Sequence, residues 1–464
     1  MRPNIVLILA DDMGYGDFAF VNGGLSSTPA LDQLASDGTV FGQHYSASPV
    51  CAPARAALLT GRYPQRTGVI DTLEARGTDR LALRETTLAD ALRAGGYRTG
   101  LVGKWHAGAI GEGYHPLHRG FDEFTGFRGG WQDYWDWTIE SAGRRMPSDG
   151  RYLTDVFTDE AVDFIRRSAA TPREPFFLHV AYNAPHFPLQ APEEVIARHR
   201  RDGRTEAVAL VYAMIEVMDR GVAAIRQALD DTGLLDNTLL IFTSDNGPDL
   251  GGVGPLSARR FNAGLAGEKQ HVLEGGIRLP LIAHWPDGMP APRRSHAFVH
   301  FTDWYPTLLD VAGVQRPDGL PLDGVSIAAS LTGEAHQSDR PRFWQWTRYR
   351  PMLHSNAAMR DGRWKLVRPA TPGTLDHNED DQRIDADIKA HPDRYPEPID
   401  APPPWQPVPD AHRPALYDLE ADPGETTDLA DRHPRIVNTM ETELTRWFES
   451  VERDRKLINE STTR

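Results

Sequence analysis

Only one cysteine, Cys51, occurs among the 464 residues. No internal disulfide can form, so Cys51 is a buried thiol, a metal ligand or a reactive group. Lysine is almost as scarce: Lys104, Lys269, Lys365, Lys389 and Lys456 are the only five, and arginine supplies the rest of the 50 basic residues. A coding bias toward arginine accounts for the ratio but not for where the lysines fall. Acids number 65 and the formal net charge is -15. That balance argues against a nucleic-acid partner, which needs a basic face. An anionic substrate would require locally clustered cations. Long apolar runs are missing too. Met1-Arg2-Pro3-Asn4 leads directly into six apolar residues, too few for a signal-peptide core with its cleavage site or for a membrane span. No membrane partner is expected. The expected location is cytoplasmic, or periplasmic or secreted where a leader has been removed.

What is there is the composition of an ordinary soluble globular protein, 40% hydrophobic and 25% charged. The length exceeds what one compact core usually serves, which predicts a large unit over 1–340 and a smaller one over 341–464. Through the first unit, β-branched or apolar runs at 5–10, 99–102, 176–182, 239–243 and 281–284 alternate with helical patterns. This predicts an α/β fold, a large mostly parallel sheet sandwiched by helices. Val208, Val211, Tyr212, Ile215, Met218, Val222, Ile225 and Leu229 recur at helical spacing before Gly233, predicting one long amphipathic helix. In the second unit, runs at 357–359 and 364–367 flank Arg360-Asp361-Gly362-Arg363, a hairpin signal. A further strand at 416–419 and a closing helix over 433–451 predict a small antiparallel sheet packed with a helix. The stretch 369–414, rich in Pro and Asp with little periodicity, reads as a long loop: a solvated insertion, or else a lid or subunit contact. Oligomeric state is not legible in the pattern.

The residues that follow the strands carry the chemistry. Strand one runs into Asp11-Asp12, the next into Gly103-Lys104-Trp105-His106, the third into Asn183-Ala184-Pro185-His186, and the fourth into Ser244-Asp245-Asn246-Gly247. Ligands of open α/β sheets bind beyond the carboxyl ends of the strands. Asp11-Asp12 alone could be a helix cap and Asp245-Asn246 alone a turn. Together they form a hard oxygen set suited to calcium or magnesium rather than zinc. Around Trp131-Gln132-Asp133-Tyr134-Trp135-Asp136-Trp137, rings alternate with acids, as in a sugar subsite or as loop packing. Arg259, Arg260 and His271 could read a second anionic group, or be exposed charges.

Cys51-Ala52-Pro53-Ala54-Arg55, followed by Ala56-Ala57-Leu58-Leu59-Thr60-Gly61-Arg62, resembles the signature of the formylglycine-dependent sulfatases, arylsulfatase-like enzymes of the alkaline phosphatase superfamily. Ala54 departs from it, standing where serine is usual. The resemblance extends from Asn4-Ile5-Val6 to Asp422-Pro423-Gly424-Glu425, and includes Gly-Lys-Trp-His, Ala-Pro-His and Lys269 five residues before Glu274-Gly275-Gly276. It implies that a maturation enzyme oxidises Cys51 to formylglycine. It also implies that Asp11, Asp12, Asp245, Asn246 and an oxygen at position 51 hold the metal, calcium or magnesium. The implied reaction is hydrolysis of a sulfate monoester, of a saccharide or another small alcohol, with aryl sulfates as surrogates. One hydroxyl of the hydrated aldehyde attacks sulfur, Arg55 and Lys104 hold nucleophile and sulfate, His186 with Lys269 protonates the departing alcohol, and His106 takes the proton that frees the sulfate. Two other functions compete: a phosphonate monoester or phosphodiester hydrolase on the same fold, and a catalytically silent glycan- or anion-binding protein that leaves Cys51 a thiol.

Overall fold

The computed structural model describes residues 2–171, 173–290, 292–333, 340–399, 403–408 and 412–462. The strands in chain order are β1 (Asn4–Ala10), β2 (Thr39–Tyr45), β3 (Arg98–Lys104), β4 (Glu123–Phe127), β5 (Thr138–Ser141), β6 (Arg144–Pro147), β7 (Phe176–Ala181), β8 (Thr238–Ser244), β9 (Arg278–His284), β10 (Arg293–His300), β11 (Arg342–Gln345), β12 (Ala357–Asp361), β13 (Trp364–Arg368) and β14 (Ala415–Asp418). The first ten form one sheet in the order β10-β2-β9-β8-β1-β7-β3-β4-β5-β6. Its centre, β8-β1-β7-β3-β4, is parallel throughout. β9 runs antiparallel to β8 and β2, and the β4-β5-β6 edge is antiparallel.

Helices cover both faces, which is why β1 is apolar without interruption. Val6, Ile8 and Ala10 pack toward the Leu153–Ala169 and Glu206–Asp231 helices. Ile5, Leu7 and Leu9 pack on the other face, with Ala52, Ala56 and Leu59 of the Cys51–Thr60 helix. The long helix is the one expected from the 208–229 periodicity. Thr205 caps it by accepting from the Val208 amide at 3.2 Å. Register does the positioning: Leu9 lies opposite both Ala181 and Thr243, and Gly103 lies opposite Ala181. Four strands therefore end level with one another, and their following residues emerge along one edge.

The second sheet, β11-β12-β13-β14, is antiparallel and carries the expected Asp-Gly hairpin between β12 and β13. The Pro434–Thr462 helix lies on it through Val437, Met440, Leu444, Trp447 and Val451, a three-and-four-residue stripe against Met359, Leu366 and Leu416. It runs past the end expected at 451. Several contacts tie this sheet to the large one, among them Arg360 of β12 to Tyr45 and Gln43 of β2 and a buried lysine. Lys365 on β13, fully buried, reaches Glu274 Oε1 at 2.9 Å and Glu425 Oε1 at 2.8 Å. Tyr45 of β2 donates its hydroxyl to Glu274 Oε2 at 2.6 Å.

The stretch 369–414 is not simply a loop. It carries a twelve-residue helix, Glu379–Ala390. Asn378 caps it, accepting from the Asp381 amide at 2.7 Å, Glu379, Asp380 and Asp381 fill its first turn, and Lys389 lies in its last. The stripe behind it is only Ile384 and Ile388, too narrow to register as a period.

The buried Lys365 contact makes a stability prediction. Lys365→Met strands two carboxylates in a dry interface and is expected to lower unfolding free energy by about 3–5 kcal/mol. Lys456→Met, at an exposed position of the closing helix, should stay within about 0.5 kcal/mol. Denaturant midpoints of the two variants compare these outcomes directly.

Candidate active site

β1 and β8 end side by side and deliver the acids. The Asp11 amide donates to Ala184 O at 3.0 Å, and the Asp12 amide to Asp245 Oδ1 at 3.2 Å. Asp12 sits at φ 65° and His106 at φ 52°. Left-handed backbone at a residue other than glycine costs about 1–3 kcal/mol and persists where surrounding structure fixes it. Cys51 opens a ten-residue helix in which every residue is buried, and a helix N-terminus favours negative charge. Arg55 follows one turn later on the same face.

Each carboxylate has its own cation. Lys104 Nζ reaches Asp11 Oδ2 at 2.7 Å, and Lys269 Nζ reaches Asp12 Oδ2 at 2.6 Å. Arg55 Nε donates to Asp245 Oδ2 at 2.9 Å and its Nη1 to Lys104 O at 3.3 Å. Asn246 Nδ2 donates to Asp12 Oδ1 at 2.7 Å. All seven side chains sit at the strand edge, and the three acids and Asn246 are almost wholly buried. Burial pushes the Asp11 carboxyl up to about 8, against the pull of Lys104. Burial would raise Asp12 as well, but Lys269 and His186 outweigh it and hold that carboxyl well below its ordinary value. Burial raises the Cys51 thiol. As a thiol it is protonated and a poor nucleophile.

The residues fit a divalent cation. Asp11 Oδ1 and Asn246 Oδ1 are buried with no hydrogen-bond partner. Single ligand atoms of Asp11, Cys51 and Asp245 lie within 4.8 Å of one another. An all-oxygen set of three acids and an amide is the ligand chemistry of calcium and magnesium.

The histidines flank this centre. His186 Nδ1 bonds Phe187 O at 2.8 Å, and its Nε2 lies 3.7 Å from Asp12 Oδ2. His106 Nε2 lies 3.4 Å from Thr72 O and 3.8 Å from Glu74 Oε1. Burial, helped by Lys269 for His186 and by Lys104 for His106, pulls both imidazoles well below their ordinary value. Gly130 lies so close that a Cβ there would stand 2.8 Å from His106 Cε1. Thus all the residues expected from the sequence gather at one edge: Asp11, Asp12, Cys51, Arg55, Lys104, His106, His186, Asp245, Asn246 and Lys269.

A cavity of about 320 Å³ opens over Cys51, His106, His186 and Lys269. Of the ring-rich segment only Trp131 reaches it, 5.6 Å from the half-exposed Phe187 ring. Tyr134 and Trp137 are core residues. Tyr134 Oη donates toward Asn183 O at 2.5 Å and lies 3.0 Å from His186 O, which fixes the His186 loop. Arg260 is no exposed charge: it forms a buried ion pair with Asp17 at 2.6 Å. Arg259 is exposed and His271 half-buried. Sequence reasoning missed the opposite wall. Arg348, His377, Gln382, Asp385 and Lys389 line the cavity from the C-terminal region. The scarcity of lysine was a signal, because Lys389 is the third of five to stand at this site.

Cation dependence provides a test. Calcium or magnesium added to chelator-treated protein is expected to raise stability, by about 2.7 kcal/mol at a hundredfold excess over Kd. Asp245→Asn should abolish that increment in thermal melts, and an increment kept by the variant would place the cation elsewhere.

Comparison with known proteins agrees with this geometry. A family model described as Sulfatase matches residues 3–314, and one described as N-sulphoglucosamine sulphohydrolase, C-terminal, matches 266–382. The chain is 36% identical to N-acetylgalactosamine-6-sulfatase of Canis lupus familiaris over 369 residues, 74% of this chain and 68% of that protein. It is 33% identical to arylsulfatase A of Bos taurus over 467 residues, 92% and 83% of the two chains. Among solved structures, Ps i-CgsB in complex with k-i-k-neocarrahexaose superposes with a TM-score of 0.80 at 31% identity, covering 96% of this chain and 93% of that one. With a sulfatase model over two thirds of its length and these relatives beside it, the chain belongs to the sulfatase family and hydrolyses sulfate esters.

Proposed function

We propose that this sulfatase releases sulfate from a sulfated saccharide, with Cys51 as the residue converted to formylglycine and calcium as the ion held by Asp11, Asp12, Asp245 and Asn246. The observation that carries the reading is the shape of the cavity. Cys51, the two histidines and Lys269 line one side of it, and the Trp131–Phe187 ring pair lines another. Flat aromatic faces suit the C–H face of a sugar. The relatives support the substrate class: one is named for a sulfated N-acetylhexosamine and one is titled with a bound neocarrahexaose. A maturation enzyme is the partner this reading requires.

When in place, the hydrated aldehyde supplies the nucleophilic oxygen and the metal ion neutralises charge on it and on the sulfate. The chain's own groups do the rest. Arg55 and Lys104 stand on the Cys51 side, where they orient the sulfate and offset charge on its equatorial oxygens. Lys269 remains charged, because Asp12 outweighs the cost of its burial. It stands with His186 beside Asp12, so the charged Lys269 Nζ is the proton donor for the departing alcohol oxygen, and His186, whose Nδ1–H is held by Phe187 O, is placed to pass on a proton that its Nε2 first takes up. His106, held neutral, is the proton acceptor for the step that frees the sulfate.

Two measurements test the reading. In protein produced beside a maturation enzyme, the tryptic fragment ending at Arg55 should lose about 18 Da, whereas ordinary thiol oxidation adds mass. That protein should turn over aryl sulfates and sulfated saccharides in preference to phosphodiesters and phosphonate monoesters. Cys51→Ala should cost about a thousandfold or more in kcat/KM. An unmodified thiol with undiminished turnover would end the assignment of Cys51.

A further inference from the structure

The Glu379–Ala390 helix turns Gln382, Asp385, Ala386 and Lys389 toward the cavity above Cys51. Their spacing of three, one and three residues is that of a single helical face. Asp385 and Lys389 are nearly buried and pair at 2.5 Å, and the Asp385 Oδ1 also accepts from the Ala75 amide at 3.1 Å. These bonds lock the pair in place. Gln382 is exposed, and its side-chain amide makes no hydrogen bond among the described residues.

The charges on this wall are already balanced. Lys389 is matched by Asp385, with Glu74 close behind, and Arg348 is matched by Asp71 at 2.7 Å. His377 is held below its ordinary value, by burial and then by Arg348, so it is neutral. Asp249 adds a further negative charge at the cavity lining. Outside the sulfate centre, then, the described lining of this cavity carries no unmatched cation. A second sulfate or a carboxylate on the substrate would be desolvated there without a partner, which is costly. Neutral hydroxyls fare differently: the amide of Gln382, the carboxylate of Asp385 and the ammonium of Lys389 offer them both donors and acceptors.

We propose that this helix is the specificity element of the enzyme, reading the free hydroxyls of a sugar ring that carries one sulfate and no other anionic group. The proposal rests on the saccharide reading above and adds to it the identity of the reader and the charge of the substrate. Trp131 and Phe187 take the face of the ring, Cys51 and its cations take the sulfate, and Gln382, Asp385 and Lys389 take the hydroxyls beside it.

The test uses the full-length matured enzyme on three probes: N-acetylhexosamines bearing a single sulfate, their disulfated counterparts, and 4-nitrophenyl sulfate. The wild type is expected to favour the singly sulfated sugars over the disulfated ones by about tenfold or more in kcat/KM. Gln382→Ala, at an exposed position, should lower kcat/KM on the singly sulfated sugars by about tenfold, chiefly through KM, and change the aryl sulfate less than about twofold. Gln382→Lys should shift preference toward the disulfated sugars. Equal or better turnover of disulfated sugars by the wild type would overturn the proposal, as would equal losses on sugar and aryl substrates in Gln382→Ala. Turnover of the aryl sulfate with no sugar sulfate cleaved would instead remove the saccharide reading itself, and the helix's role with it. The two failures are therefore distinct.

Discussion

Three carboxylates, Asp11, Asp12 and Asp245, are buried together at the end of a parallel sheet, and the surroundings are arranged around that fact. Unpaired, each would cost several kcal/mol of desolvation. The chain answers with one cation for each: Lys104 for Asp11, Lys269 for Asp12, Arg55 for Asp245. These come from a strand end, a loop and a helix that lie far apart in sequence, so pairing the acids also assembles the site. The arrangement leaves Asp11 Oδ1 and Asn246 Oδ1 without a hydrogen bond. The same electrostatic need that draws the cations in thus leaves oxygens ready for a divalent ion.

The sheet and the site were legible in the sequence because both are written locally. β1 shows as an unbroken apolar run, since it is covered on both faces, and the acids follow it directly. The Cys51 motif lies within one helix, and the lysines stand out in a chain that otherwise uses arginine. The cavity's second wall was not legible. Its helix is held by a cap and two isoleucines rather than by a broad stripe, and its partners, Ala75 and Glu74, lie some 300 residues earlier. Nor could the pattern separate Trp131, which lines the cavity, from Tyr134 and Trp137, which hold the loop to the core. Alternating rings and acids look the same in both settings. Arg260 was misread for a related reason, because its partner Asp17 lies 243 residues away.

The C-terminal region is therefore part of the site rather than an appendage to it. It contributes one wall, and it is joined to the large sheet through Lys365, whose partner Glu274 lies five residues beyond Lys269. A shift of the small sheet would pull on the segment that positions a site cation. On the proposed reading the division of labour is one of distance: the strand edge takes the sulfate, and the later residues face whatever bears it.

The helix that begins at Cys51 is buried along its entire length. Chain order gives that burial a consequence in time. The strands and helices that enclose the cysteine come later in synthesis, β7 and β8 among them, and the far wall of the cavity comes after residue 378. On the proposed reading, a maturation enzyme that must grip the backbone around Cys51 would reach it only before those elements dock, and the rate of docking would compete with the rate of modification.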